Sequence, residues 1–136
     1  MDEVSVDGAI ATATYFLQLF PYVANTGDLT DWDALSHPEC RFCAGVRSEV
    51  DGMVALGQYQ EGTEMSILSA TASEVTPGIW FLVEITYTEG PWRVLDTAGR
   101  IIDAAAGATS MHGSFAVIRE EDHWLIRAGQ AVVTGV

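Results

Sequence analysis

The stretch LSHPECRFCAG, residues 35–45, spaces His37, Cys40 and Cys43 three residues apart in turn. Side chains of these types support three chemistries. Two thiols can close a disulfide, an activated thiol in a Cys-x-x-Cys pair can exchange disulfides, and an imidazole with two thiolates can hold zinc. The two cysteines are the only ones in the chain. In an oxidising compartment such neighbours close readily, and because so short a loop removes little chain entropy, the bond would act as a local clip. The redox reading needs a strand-to-helix junction in a βαβ unit, which the pattern lacks, although Cys43 near a helix N-terminus would have a stabilised thiolate. The zinc reading would take His37, Cys40 and Cys43 with Glu39 or Asp33 as a fourth ligand, whereas dedicated sites usually come as two separated pairs. His37, beside Pro38, reads first as a helix-terminal residue. The clip is favoured on condition that the domain is exported; the redox pair, the zinc site and a pair of inert buried thiols stay open.

Elsewhere the chemistry-bearing residues are sparse. There is no Ser-His-Asp arrangement, no glycine-rich phosphate loop and no carboxylate pair held at fixed spacing by one element. Nothing calls for a cofactor. If there is an acid or base on an inner surface, Tyr15 and Asp33 are the weak catalytic candidates, with Glu84 or His112 as sheet partners. Asp33 also serves a capping box in TDWD, and Glu84, between Val83 and Ile85, sits where a solvent-facing residue alternates. For binding, Tyr15, Tyr22, Trp80, Phe115 and Trp124 could line an apolar cavity, although each has an ordinary packing role as well. If Trp80 and Leu82 lie on an outer sheet face, they would form an exposed apolar patch suited to a partner or a homodimer.

The chain that must position these residues has 136 of them, enough for one domain, 1–136, with its own core. Hydrophobic residues make up 49% and charged residues 18%, a globular balance. Nineteen Asp and Glu oppose six Arg and no Lys, a net charge of -13 that repels phosphate backbones and argues against nucleic acid as a partner. No apolar run reaches membrane-spanning length. The start, MDEVSV, has neither a basic nor an apolar leader region, which fits either a chain without a leader or one that begins after an export signal.

Apolar residues at Ile10, Ala13, Leu17, Phe20 and Ala24 predict a helix over 5–25, widened by Tyr15, Leu19 and Tyr22 and stopped near Gly27. Pro21 falls inside it and predicts a kink rather than an end. A short helix follows TDWD, and Val46, Val50, Met53 and Val54 predict a third. The second half changes period. Ile79, Phe81, Val83, Ile85 and Tyr87 alternate with Trp80, Leu82, Glu84 and Thr86 along a strand with one apolar face, preceded by a weaker one over 62–75, with a bulge expected at Gly90-Pro91. Residues 103–109 read as a mobile loop. A hairpin over 109–131, turning on Glu121-Asp122, would put Phe115 and Val117 on one face with Trp124, Ile126 and Ala128, and His112, Ser114 and Arg127 on the other. Helices first and antiparallel strands after make an α+β layout.

The segment YFLQLFPYVANTGDLTDWDALSHPECRFCAGV, residues 15–46, resembles actinobacterial lipoproteins of domain of unknown function 6318. Its strand-rich remainder is similar to theirs in architecture. The resemblance implies a nuclear transport factor 2-like (cystatin-like) cone, with three N-terminal helices packed on a curved antiparallel sheet. It implies an exported domain on the outer side of the cytoplasmic membrane, tethered only through a lipid anchor on a segment outside this chain. It implies no activity, since that fold carries isomerases, dehydratases and plain binding domains alike. The expectation is a non-catalytic extracytoplasmic domain that binds a small apolar ligand or a cell-envelope protein. The alternatives are a small pocket enzyme of isomerase or dehydratase type and a structural dimerisation domain.

Overall fold

The computed structural model describes residues 4–135. Helix α1, Val6–Thr26, begins at Ser5, whose hydroxyl accepts from the Gly8 amide at 3.2 Å, and ends at Gly27 in the left-handed region (φ 75°), its amide donating to Val23. The helix continues through Pro21, as the apolar spacing demands. Helix α2 is Thr30–Leu35 and α3 is Arg41–Ala55. The expected capping box is not formed. Thr30 lies within α2, and it is the Asp28 carboxylate, one step outside, that accepts from the Thr30 amide at 3.0 Å and from its hydroxyl. Asp33 is left to pair with Arg47 at 2.6 Å on the surface.

Seven strands follow: β1 Tyr59–Gly62, β2 Met65–Thr76, β3 Trp80–Glu89, β4 Trp92–Leu95, β5 Ile101–Ala105, β6 Thr109–Glu120 and β7 His123–Gly135. They form two antiparallel sheets, a larger one in the order β2-β3-β6-β7 and a smaller one in the order β1-β4-β5. Gly90-Pro91 is therefore not a bulge within one strand but the point where the chain leaves the larger sheet for the smaller. The reverse crossing, before β2, is made at Gly62 and Thr63, both at positive φ (87° and 62°), with the Thr63 amide bonded to the Pro91 carbonyl at 3.0 Å. Residues 103–105, expected in a mobile loop, are strand β5, and the connection shrinks to 106–108. Strand β2 lies at one edge of the larger sheet and carries two irregularities in its pairing, one of which leaves Leu68 unpaired and exposed.

The β6–β7 hairpin turns on Glu121 and Asp122, both in the left-handed region (φ 49° and 67°), which suits a two-residue hairpin loop. The register pairs Val117 with Ile126 and Arg119 with Trp124, putting Trp124 and Ile126 on the face of Phe115 and Val117 as expected. A bulge at Arg127 then shifts the strand by one residue. Ala128 consequently pairs with Ala116 and is exposed on the opposite face, while Gly129 stands opposite Phe115.

The helices cover the inner face of the larger sheet. Ala9, Ala13, Phe16 and Val23 of α1, Trp32 of α2 and Val50 of α3 meet Phe81, Val83, Ile85, Tyr87, Phe115, Val117 and Ile126. Phe16 stacks on Trp32 with ring centroids 3.8 Å apart, and Phe42 meets Phe115 edge-on at 5.7 Å. Burying large aromatic rings in mutual contact is the main stabilising term available to a layer of this size.

Candidate functional site

The sulfurs of Cys40 and Cys43 are joined in a disulfide. The bond spans the entry to α3. Cys40 is the N-cap of that helix, its sulfur accepting from the Cys43 amide at 3.2 Å, and the Cys43 carbonyl accepts from the Trp32 indole at 3.1 Å. The same loop is pinned to the sheet through His37, whose amide donates to the Ile126 carbonyl at 3.0 Å. The His37 ring faces elsewhere: Nδ1 accepts from the Glu39 amide at 3.0 Å, and Nε2 lies 3.8 Å from the Glu120 carboxylate. Among the described residues no group of three His, Cys, Asp or Glu converges as a metal site would require. While they are bonded to each other, the two sulfurs offer no thiolate to a metal.

The five aromatic residues singled out for binding are not brought together. Phe115 and Trp124 are buried, and Trp124 packs edge-on against Phe81 at 5.3 Å with the Arg119 guanidinium over its ring. Tyr15 and Tyr22 face away from the sheet. Each is more than two-fifths exposed, and their hydroxyls lie 3.4 Å from Asp31 and 2.7 Å from Asp28. Hydrogen bonds from Thr30 and then Tyr22 hold the Asp28 carboxyl below its ordinary range. The expectation that both tyrosines widen the inner stripe fails because the buried stripe of α1 is centred on Ala9, Thr12, Phe16 and Val23 instead. Catalytic candidates Tyr15 and Asp33 are both on the surface, Tyr15 beside Asp31 and Asp33 paired with Arg47.

Spacing reasoning passed over one inward acid. Ile79, expected on that face, instead lies in the turn before β3 and is exposed, while the alternation Phe81, Val83, Ile85, Tyr87 runs on to Glu89, which places that carboxylate at the end of the apolar face. Burial pushes its pKa up, and burial together with the Glu89 charge pushes Tyr87 up to about 12. Extending the period-two count by one step finds this residue in the sequence.

Trp80 stands on the outer face of the larger sheet. Pairing across β2, β3, β6 and β7 gives that face in rows: Thr76, Trp80, Ile118, Leu125; Ser73, Leu82, Ala116, Ala128; Thr71, Glu84, Ser114, Gln130; Ser69, Thr86, His112, Val132. The first two rows are largely apolar, and Trp80 and Leu82 remain 37% and 40% exposed there. The next two are small hydroxyls around one ionic group. A single oxygen of Glu84, Oε2, accepts from Ser114 Oγ at 2.6 Å and lies 2.6 Å from His112 Nε2. The Ser114 bond, the largest effect, lowers the Glu84 pKa; burial opposes it, and the His112 bond and charge add to the lowering. The trio is no nucleophile relay. Ser114 and His112 both address the carboxylate rather than each other, and a carboxylate held in its ionised form is a weak base.

Residues 1–130 match the family described as a family of unknown function, DUF6318. The chain belongs to the DUF6318 family. No curated protein matches this DUF6318 chain in sequence. Among solved structures it is similar to the intermembrane-space region of the chloroplast protein ARC6, at 13% identity and a TM-score of 0.74, with 96% of this chain and 98% of that one covered. A protein with a cystatin-like fold from Caulobacter vibrioides is similar at 10% identity and a TM-score of 0.58, covering 94% and 91%. Another of cystatin-like fold, from Nostoc punctiforme, is similar at 11% and 0.56, covering 90% and 89%. At such identities the likeness concerns the fold alone: the DUF6318 domain is an α+β cone of cystatin-like, nuclear transport factor 2-like architecture.

Proposed function

We propose that the domain is a non-catalytic, extracytoplasmic binding domain, and that it docks a cell-envelope protein on the outer face of its larger sheet. The observation that carries the reading is the composition of that face. In a chain with 19 acidic residues, the four rows around Leu82 and Glu84 hold one carboxylate, and it is hydrogen-bonded to Ser114 and His112. Carboxylates crowd the rest of the surface and keep it solvated, whereas this area of small hydroxyls and exposed Trp80 and Leu82 can be dried at low cost. The expected partner is a protein with an apolar patch and a Lys or Arg aimed at Glu84.

Two further points support the reading. The disulfide at Cys40–Cys43 suits an oxidising compartment outside the cytoplasm, consistent with anchoring through a lipid on a segment outside this chain. The interior is filled by Phe16, Trp32, Phe81, Phe115 and their neighbours, so a small apolar ligand or an isomerase-type substrate would have to displace core side chains.

The test is site-specific photo-cross-linking in an envelope extract, with the photoreactive residue at position 82 and, as a control, at position 49 on α3. A discrete heteromeric adduct from position 82, lost on Glu84→Lys and not formed from position 49, is the expected result. No adduct, or an adduct of two copies of this chain alone, would refute the partner and in the second case make this face a homodimer surface.

A further inference from the structure

A second surface, beyond the Ala128 end of those outer rows, combines an open groove with the scarcest charge in the chain. It lies between the start of α3 and strand β7, with a volume of about 650 Å³, within the range of small-ligand sites. Arg41 and Arg127 line it, as do Phe42, Cys40 and Gly129, with Glu39 at the rim. Two structural features already described create it. The bulge at Arg127 turns β7 so that Ala128 swings outward, and Gly129, lacking a Cβ, lets the Phe42 ring lie against the strand: a Cβ there would come within 3.1 Å of Phe42 and 2.9 Å of Phe115.

The arginines are unevenly satisfied. Arg47, Arg93 and Arg100 each form an ion pair of 3.1 Å or less, with Asp33, Glu61 and Asp96, and Arg119 bonds the Asp122 carbonyl above the Trp124 ring. Arg127 has a loose contact, 3.6 Å from the Glu39 carboxylate and 3.4 Å from its carbonyl. The Arg41 side chain has no hydrogen bond or ion pair among the described residues. A guanidinium left without a carboxylate in a chain of net charge -13 is placed against the statistical tide, since acids outnumber arginines by 19 to six.

We infer that this groove binds a small amphipathic carboxylate. The head group would be bridged by Arg41 and Arg127, and the apolar body would lie over Phe42, Gly129 and the Cys40 sulfur. Guanidinium pairs suit this role because each presents parallel N–H donors to both oxygens of a carboxylate. Glu39 is the competing internal anion: a ligand carboxylate replaces it on Arg127. The proposal goes beyond the partner reading; the groove meets the outer rows only at Ala128, and neither Trp80, Leu82 nor Glu84 lines it, so either can fail alone.

The test compares octanoate with octanol by titration calorimetry on the oxidised protein, with amide chemical shifts as the structural readout. Octanoate is expected to bind more tightly than octanol, although the net charge of the protein disfavours any anion. Arg41→Gln and Arg127→Gln should each weaken octanoate by about tenfold, the loss of one charge-assisted hydrogen bond, and leave octanol unchanged. Glu39→Gln should strengthen octanoate. All three substitutions are at the surface, and Leu82→Ser serves as the folded control that leaves octanoate affinity intact. Equal affinity for the two probes, octanoate binding unmoved by both arginine changes, or shifts confined to amides outside residues 38–44 and 127–129 would overturn the assignment, as would failure of octanoate to bind at millimolar concentration.

Discussion

Opening the Cys40–Cys43 bond should cost stability by an amount that follows from sequence separation alone. The bond closes a separation of three residues. For so small a ring the loop-closure relation gives about 2 kcal/mol near room temperature, against about 3 kcal/mol for a 15-residue loop. Spread over a chain of 136 residues, that loss corresponds to a fall of about 6 °C in Tm, or about 1 M in a urea midpoint. Reduced and oxidised protein are compared in urea with a matched mass spectrum confirming two hydrogens gained. The slope of the transition should not change, because the same surface is exposed. The double variant Cys40→Ser with Cys43→Ala separates covalent constraint from capping: serine keeps an acceptor for the Cys43 amide position, so its loss should match that of reduction. Superimposable midpoints would refute the entropic argument. A loss approaching about 5 kcal/mol would refute it from the other side, by showing that the sulfurs hold native packing rather than restrict the unfolded chain.

Gly62→Ala should destabilise by at least about 2 kcal/mol in urea, because a left-handed φ of 87° strains any Cβ and this one would land on the Pro91 carbonyl oxygen. Phe16→Ala, which removes a fully buried ring stacked on Trp32, should cost about 3–5 kcal/mol. Glu84 has its pKa lowered in the folded state, so its contribution is complete above the ordinary value of 4.5 and is lost as pH falls through the folded value. Glu84→Gln should therefore flatten the acid limb of stability against pH; an unchanged limb, measured as urea midpoints from neutral pH downward, would remove the group from the linkage.

Much of this molecule is legible from periodicity. Phe81 to Tyr87 alternate without interruption, and the core face of β3 follows from that count; Ser5, Gly27 and the steps between them set the length of α1. What escaped did so for identifiable reasons. Tyr15 and Tyr22 are large and apolar over most of their surface, so they read as core, yet a hydroxyl facing Asp31 and Asp28 can be satisfied at the surface and the rings are left half wet. The bulge at Arg127 has no signature in WLIRAGQ, and one unpaired residue reverses every assignment after it, which is why Ala128 changed faces. The division into two sheets depends on Thr63 holding a positive φ that threonine rarely adopts. The groove at Arg41 and Arg127 joins residues far apart in the chain, and only the register of β7 against the α3 entry brings them together.

The irregular course of β2 bears on how the protein behaves when crowded. An open sheet has two unpaired margins, and a straight margin invites another chain to add itself as the next strand. Here the β7 margin is occupied near Ile126 by Ser36 and His37. Among the described residues no neighbouring strand covers the β2 margin, and the irregularities at Leu68 and near Val75 interrupt its ladder of donors and acceptors instead. The exposed Leu68 is thus the visible part of a device that makes the strand a poor template. Along both margins of the larger sheet, then, the run of backbone groups that an added strand would need is broken.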